Sequence, residues 1–86
     1  LLMQVTLKLF ASLNRYLPAN KINTIEAIIQ VPHGATVSQV MDIHCIPHPQ
    51  AHLVMINGKY IPPQDRLNSV LKENDALAIC PPVAGG

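Results

Sequence analysis

Charge is what this 86-residue sequence has least of: Asp, Glu, Lys and Arg together make up 13% of it, about half the share usual in soluble domains. The formal net charge is +1 and no run of Lys or Arg occurs, so the chain offers no electrostatic footprint for nucleic acid. Its two cysteines, Cys45 and Cys80, are too few for a disulfide scaffold. Nothing resembles a secretion signal. The apolar start is broken by Gln4, Thr6 and Lys8, and no window approaches a membrane span. The expectation is a reduced, cytoplasmic protein with neither nucleic acid nor membrane among its partners.

What fills the space left by charge is apolar: 49% of residues. Residues 1–86 suffice for one domain with a modest core and not for a second. So small a domain, with so few charges, leaves apolar surface exposed, which marks a partner-binding face.

The pattern alternates from Met3 to Phe10, with Met3, Val5, Leu7 and Leu9 on one face, and predicts a half-buried strand. Leu13, Tyr16 and Leu17 fall at helical spacing within Ala11 to Leu17, with Ser12 a candidate N-cap, before Pro18 ends the segment. Ile25, Ala27, Ile29 and Val31 alternate again and predict a second strand, closed by Pro32-His33-Gly34. Thr36 is placed to cap a helix over Val37 to His44, whose Val37, Val40, Met41 and His44 share one stripe. Pro47 and Pro49 stop it. A third strand is expected over His52 to Ile56, and Asn57-Gly58 is a two-residue hairpin signal into Lys59 to Ile61. Pro62 and Pro63 confine that returning strand to a sheet edge. Asp65 to Leu71 suggests a helical turn, Lys72 to Asp75 a polar turn, and Ala76 to Cys80 the last strand. The order is α+β, one sheet covered on one face.

After the last strand come Pro81-Pro82-Val83-Ala84-Gly85-Gly86. The prolines fix φ near −65° and lack an N–H, so the segment can neither extend a helix nor donate to a ladder. Gly85 and Gly86 add a tip with no side chain and little steric restriction. The whole, residues 81–86, reads as a stiff exit, a small tip and a carboxylate suited to a narrow pocket. The plainer reading, a frayed terminus, accounts for the glycines but not for the stiff apolar approach to them.

PPVAGG after a final strand resembles the tail of the ubiquitin-like sulfur carriers, above all the small subunit of molybdopterin synthase. The resemblance runs over nearly the whole chain, through VTLKLFASL, VPHGATVSQVM, INGK and LKENDALAI. It departs in a short helix and in Cys80, where many relatives carry an aromatic residue. It implies a β-grasp fold, a mixed sheet of about four to five strands on one helix, with first and last strands parallel neighbours. It implies that Gly86 is adenylated and converted to a thiocarboxylate, with Pro81, Pro82, Val83, Ala84 and Gly85 forming the partner-binding tail. ATP would be used by an adenylating partner akin to ubiquitin-activating enzymes, with no cofactor bound by the chain itself. The implied partners are that enzyme, a sulfur donor protein and the large subunit of molybdopterin synthase. A thiamin-type carrier, or a ubiquitin-like modifier joined to lysines through Gly86, needs the same activated tail. The carrier itself would supply no general base.

Two further groups have competing readings. Phe10, Ile28 and Met55 are ordinary core residues taken singly, but together they fit a sheet face turned away from the helix and open to a partner. His44, Cys45, His48 and His52 crowd together as a metal set would. Pro47 and Pro49 break the helical spacing that would align His44 with His48, so no metal site is assigned. His44 is expected at the edge of the helix stripe, His48 and His52 in solvated positions, and both cysteines as small packing residues.

Overall fold

In the computed structural model, which describes residues 1–83, side-chain alternation sets the faces of one five-stranded sheet. β1 (Leu2–Leu9) buries Met3, Val5, Leu7 and Leu9 and turns Gln4, Thr6 and Lys8 the other way. β2 (Glu26–Pro32) buries Ala27, Ile29 and Val31. β3 (Leu53–Ile56), β4 (Lys59–Tyr60) and β5 (Ala76–Cys80) complete the order β2-β1-β5-β3-β4. β1 runs antiparallel to β2 and parallel to β5, while β3 is antiparallel to both β5 and β4. β4 lies at the edge, where Pro62 and Pro63 after it cost no ladder hydrogen bond. Asn57 and Gly58, at φ 51° and 83°, give the β3–β4 hairpin the doubly positive turn that matches strand twist.

One helix, α1 (Val37–Ile43), covers the inner face with Val37, Val40 and Met41 buried against the strand residues. Its start is a full capping box. The Thr36 hydroxyl accepts from the Gln39 N–H at 3.2 Å, and the Gln39 side chain accepts from the Thr36 N–H at 2.9 Å. The next two donors, the N–H groups of Val37 and Ser38, reach the carbonyls of Ser69 and Arg66. A helix of barely two turns therefore begins with every donor satisfied, half of them by a distant loop.

The end of α1 differs from expectation. The helix closes before Pro47, in a paired cap where the Cys45 N–H donates to the Asp42 carbonyl and the Ile46 N–H to that of Met41. Cys45 holds the left-handed position at φ 59°, usually taken by glycine. Ile46 is buried beside Met41, but Cys45 itself is exposed and does not pack. Two other elements also shift. Ala11–Tyr16 is a 3-10 helix entered from extended Phe10 with no side-chain cap, so Ser12 lies inside it. The helical turn expected from Asp65 starts earlier, as a 3-10 turn over Pro63–Asp65 whose prolines suit a first turn. It runs on through Arg66 to Asn68, whose N–H donates to the Asp65 carbonyl.

Candidate functional site

β5 carries the chain to the tail through the middle of the sheet. Leu77 and Ile79 are fully buried, while Ala76, Ala78 and Cys80 stand on the outer face. Pro81 is half-buried, Pro82 is exposed, and Val83 is 75% exposed. Ala84, Gly85 and Gly86 lie outside the described residues.

The register shows what the tail's root is beside. Lys8 pairs with Ala78, Ala78 with Met55, and Met55 with Tyr60. Cys80 pairs with Leu53, and the Phe10 N–H donates to the Ile79 carbonyl at 3.1 Å, carrying the parallel ladder one step past β1. Phe10, Leu53, Met55, Ala78 and Cys80 thus form one outer-face patch around the end of β5, with Tyr60 at its rim. Each is half-buried, except Tyr60, which is exposed.

Of the three face residues picked from the sequence, the fold brings Phe10 and Met55 together and holds Ile28 apart. Ile28, 42% exposed, sits on β2 beside Thr6, three strands and roughly 14 Å from Met55. Lys8 and Glu26, whose charged ends approach to 4.0 Å, stand in the row between. Leu53, Ala78, Tyr60 and Cys80 were missed as members of the patch. Their parity along β3, β4 and β5 was the available signal, but it needed the pairing of β5 with β1 to become a surface.

Apart from Cys80, Tyr60 at the rim and Lys8 beside Ala78, the titratable groups do not converge on this patch. Burial pushes the Cys80 thiol pKa up, which leaves it a weaker nucleophile at neutral pH. Desolvation lowers the pKa of His44, half-buried at the end of α1. His48 Nε2 lies 2.7 Å from Asp42 Oδ1 in an exposed pair, worth little at a surface. Among the described residues no three His, Cys, Asp or Glu side chains are grouped to hold a metal ion. A shallow concavity of about 450 Å³ lies on the other side, between the β2–α1 connection and Ile43. No helix among the described residues is long and apolar enough to cross a membrane.

A sheet of this order with one covering helix is shared by known proteins. Residues 7–86 match the ThiS family. The chain belongs to that family. It is a ubiquitin-like chain of the sulfur-carrier type, with the β-grasp fold. A solution structure of the HVO 2177 protein of Haloferax volcanii superposes with a TM-score of 0.74 at 22% identity, covering 99% of this chain and 88% of that one. A candidate molybdopterin converting factor subunit 1 from Pyrococcus furiosus gives 0.64 at 20% identity, over 94% and 99%. The small archaeal modifier protein 1 of Methanosarcina acetivorans gives 0.64 at 25% identity, over 99% and 98%. No curated protein matches the chain in sequence.

Proposed function

We propose that this ThiS-family chain carries sulfur on Gly86 as the small subunit of a molybdopterin synthase. The observation that carries the reading is the position of β5. It ends at Cys80, with Pro81-Pro82 following, at the border of an apolar outer-face patch, so a partner seated on that patch receives the tail directly. A carboxylate resists nucleophiles because it is anionic and its leaving group is poor. Transfer of AMP from ATP by an adenylating partner makes a mixed anhydride and releases pyrophosphate. The terminal sulfur of a donor protein's persulfide then forms the C–S bond as the C–O bond to AMP breaks. A thiol cleaves the S–S bond of the resulting acyl disulfide, releasing the thiocarboxylate and leaving the donor cysteine in a disulfide with that thiol. Glycines at 85 and 86 suit a closed pocket in which a Cβ would collide. The chain binds no cofactor in this scheme, and its partners supply the catalytic groups. They act in the cytoplasm.

The likeness to a candidate molybdopterin converting factor subunit and the double proline before the tip support the pterin branch over a thiamin-type carrier. The likeness to a small archaeal modifier protein supports a second reading, in which the same activated Gly86 forms isopeptide bonds with lysines. An intact-mass spectrum of the protein purified from its native host separates them. The carrier reading predicts a species heavier than the bare chain by the difference between sulfur and oxygen. The modifier reading predicts conjugates heavier by a whole protein. Only the bare mass, in cells making the cofactor, contradicts both.

A further inference from the structure

We propose that Arg66 is a positioning residue for the tail, holding the strand start that fixes the direction in which the chain leaves the body at Cys80. The inference rests on the carrier reading for its functional consequence, though not for its structural one. Arg66 is 7% exposed. Its Nε donates to the carbonyl of Ile61 at 3.2 Å, its Nη1 to that of Ala51, and its Nη2 to that of His52 at 3.3 Å. Its own carbonyl accepts from the Ser38 N–H at the start of α1. The ion pairs among the described residues join Lys8 to Glu26 and His48 to Asp42, so the buried guanidinium is satisfied by neutral carbonyls alone.

A buried charge without a counter-ion is a poor way to fill space, and an apolar side chain of similar volume often serves stability as well or better. What a guanidinium adds is geometry, because its planar fork holds several acceptors at fixed angles. One of those acceptors matters for the tail. The N–H of His52 is shared between the Gln50 and Cys80 carbonyls, each at 3.0 Å, and Cys80 is the last residue of β5. Pro81 and Pro82 have no N–H to give. Among the described residues, no backbone hydrogen bond ties the chain to the body after that carbonyl. Arg66 therefore grips His52, which with its neighbour Leu53 across the ladder holds the end of β5. Six residues in extended form reach about 20 Å, so a small tilt at this root is magnified at the reacting end.

The test uses Arg66→Met, which keeps the volume and removes the fork, and Arg66→Lys, which keeps the charge but reaches fewer carbonyls. Both are expected to fold, judged by melting. Amide exchange at His52 should quicken about tenfold while Leu7 in β1 keeps its protection. With ATP and the adenylating enzyme, kcat for the carrier should fall about tenfold with KM unchanged, since the docking patch is untouched and only alignment is lost. A merely structural arginine would lower the melting temperature without moving kcat. Unchanged kcat, parental exchange at His52, or equal loss of protection at His52 and Leu7 would each overturn the proposal. If the wild-type chain is not adenylated at all, the carrier reading fails, while the exchange experiment still decides the clamp.

Discussion

On β5, Leu77 and Ile79 are fully buried, whereas their alternate neighbours Ala76, Ala78 and Cys80 are small residues on a half-open face. The same split divides β1, β2 and β3. The inner face takes large aliphatic side chains that meet α1, while the outer face mixes Thr6 and Lys8 with Phe10, Leu53 and Met55. The inner face is closed by its own helix and needs nothing else. The outer face is apolar where the tail leaves and mixed farther off, where Ile28 stands beside Thr6, Lys8 and Glu26. On the carrier reading, that distribution suits a partner at the tail's root. On that reading, stability and function occupy opposite sides of one sheet.

Substitutions on the two sides should therefore separate. Leu77→Ala on the inner face removes fully buried methyl groups and should cost about 2–5 kcal/mol in urea unfolding. Met55→Ala on the outer face should cost no more than about 1 kcal/mol. Equal losses would mean that the outer face is also structural. Phe10→Ala should leave a folded protein whose affinity for a pterin-synthase large subunit, read by titration calorimetry, falls at least about tenfold, or 1.4 kcal/mol. The double change His44→Ala and His48→Ala should bind as the parent does, with or without a chelator. The opposite pattern would put the interface on the helix side of the molecule.

Smaller effects sharpen the inner side. Cys45→Gly should raise stability by about 0.5–1 kcal/mol, the left-handed strain relieved less the entropy glycine loses on folding. Denaturant midpoints check it, and a loss would show that the exposed thiol does more than occupy a cap. His44 gives the least change. Desolvation places its folded pKa below the ordinary 6.5, so on acidification the unfolded chain takes up a proton that the folded one refuses. Stability should fall with pH through that window. Melting curves of His44→Gln should be flatter there than those of the parent.

Much of the inner side was legible in the residues. Strict alternation in β1 and β2, Thr36 as the cap of α1, Asn57-Gly58 and the bounds of β5 all have local chemical causes. Phe10 and Met55 were legible as face residues by parity. Their union with Leu53 and Cys80, and the separation of Ile28, depend on which strands pair across long stretches of chain. No periodicity records that. The helix end at Cys45 escaped notice because a left-handed cap usually announces itself with glycine. Arg66 was invisible for a related reason. Its acceptors are backbone carbonyls of Ala51, His52 and Ile61, which every residue type supplies alike. The tail's glycines, plain in the sequence, lie outside the described residues.

The claim that fold and function are separable meets its most direct test at the tip. Gly86→Val, or one residue added after Gly86, changes no residue of the core or of the outer patch. Incubated with ATP and the adenylating enzyme, either variant should melt as the parent does, bind the enzyme through its intact face, and accept no AMP. Normal adenylation of either variant would contradict the account, because a tip that tolerates bulk or extra length is not threaded into a closed pocket.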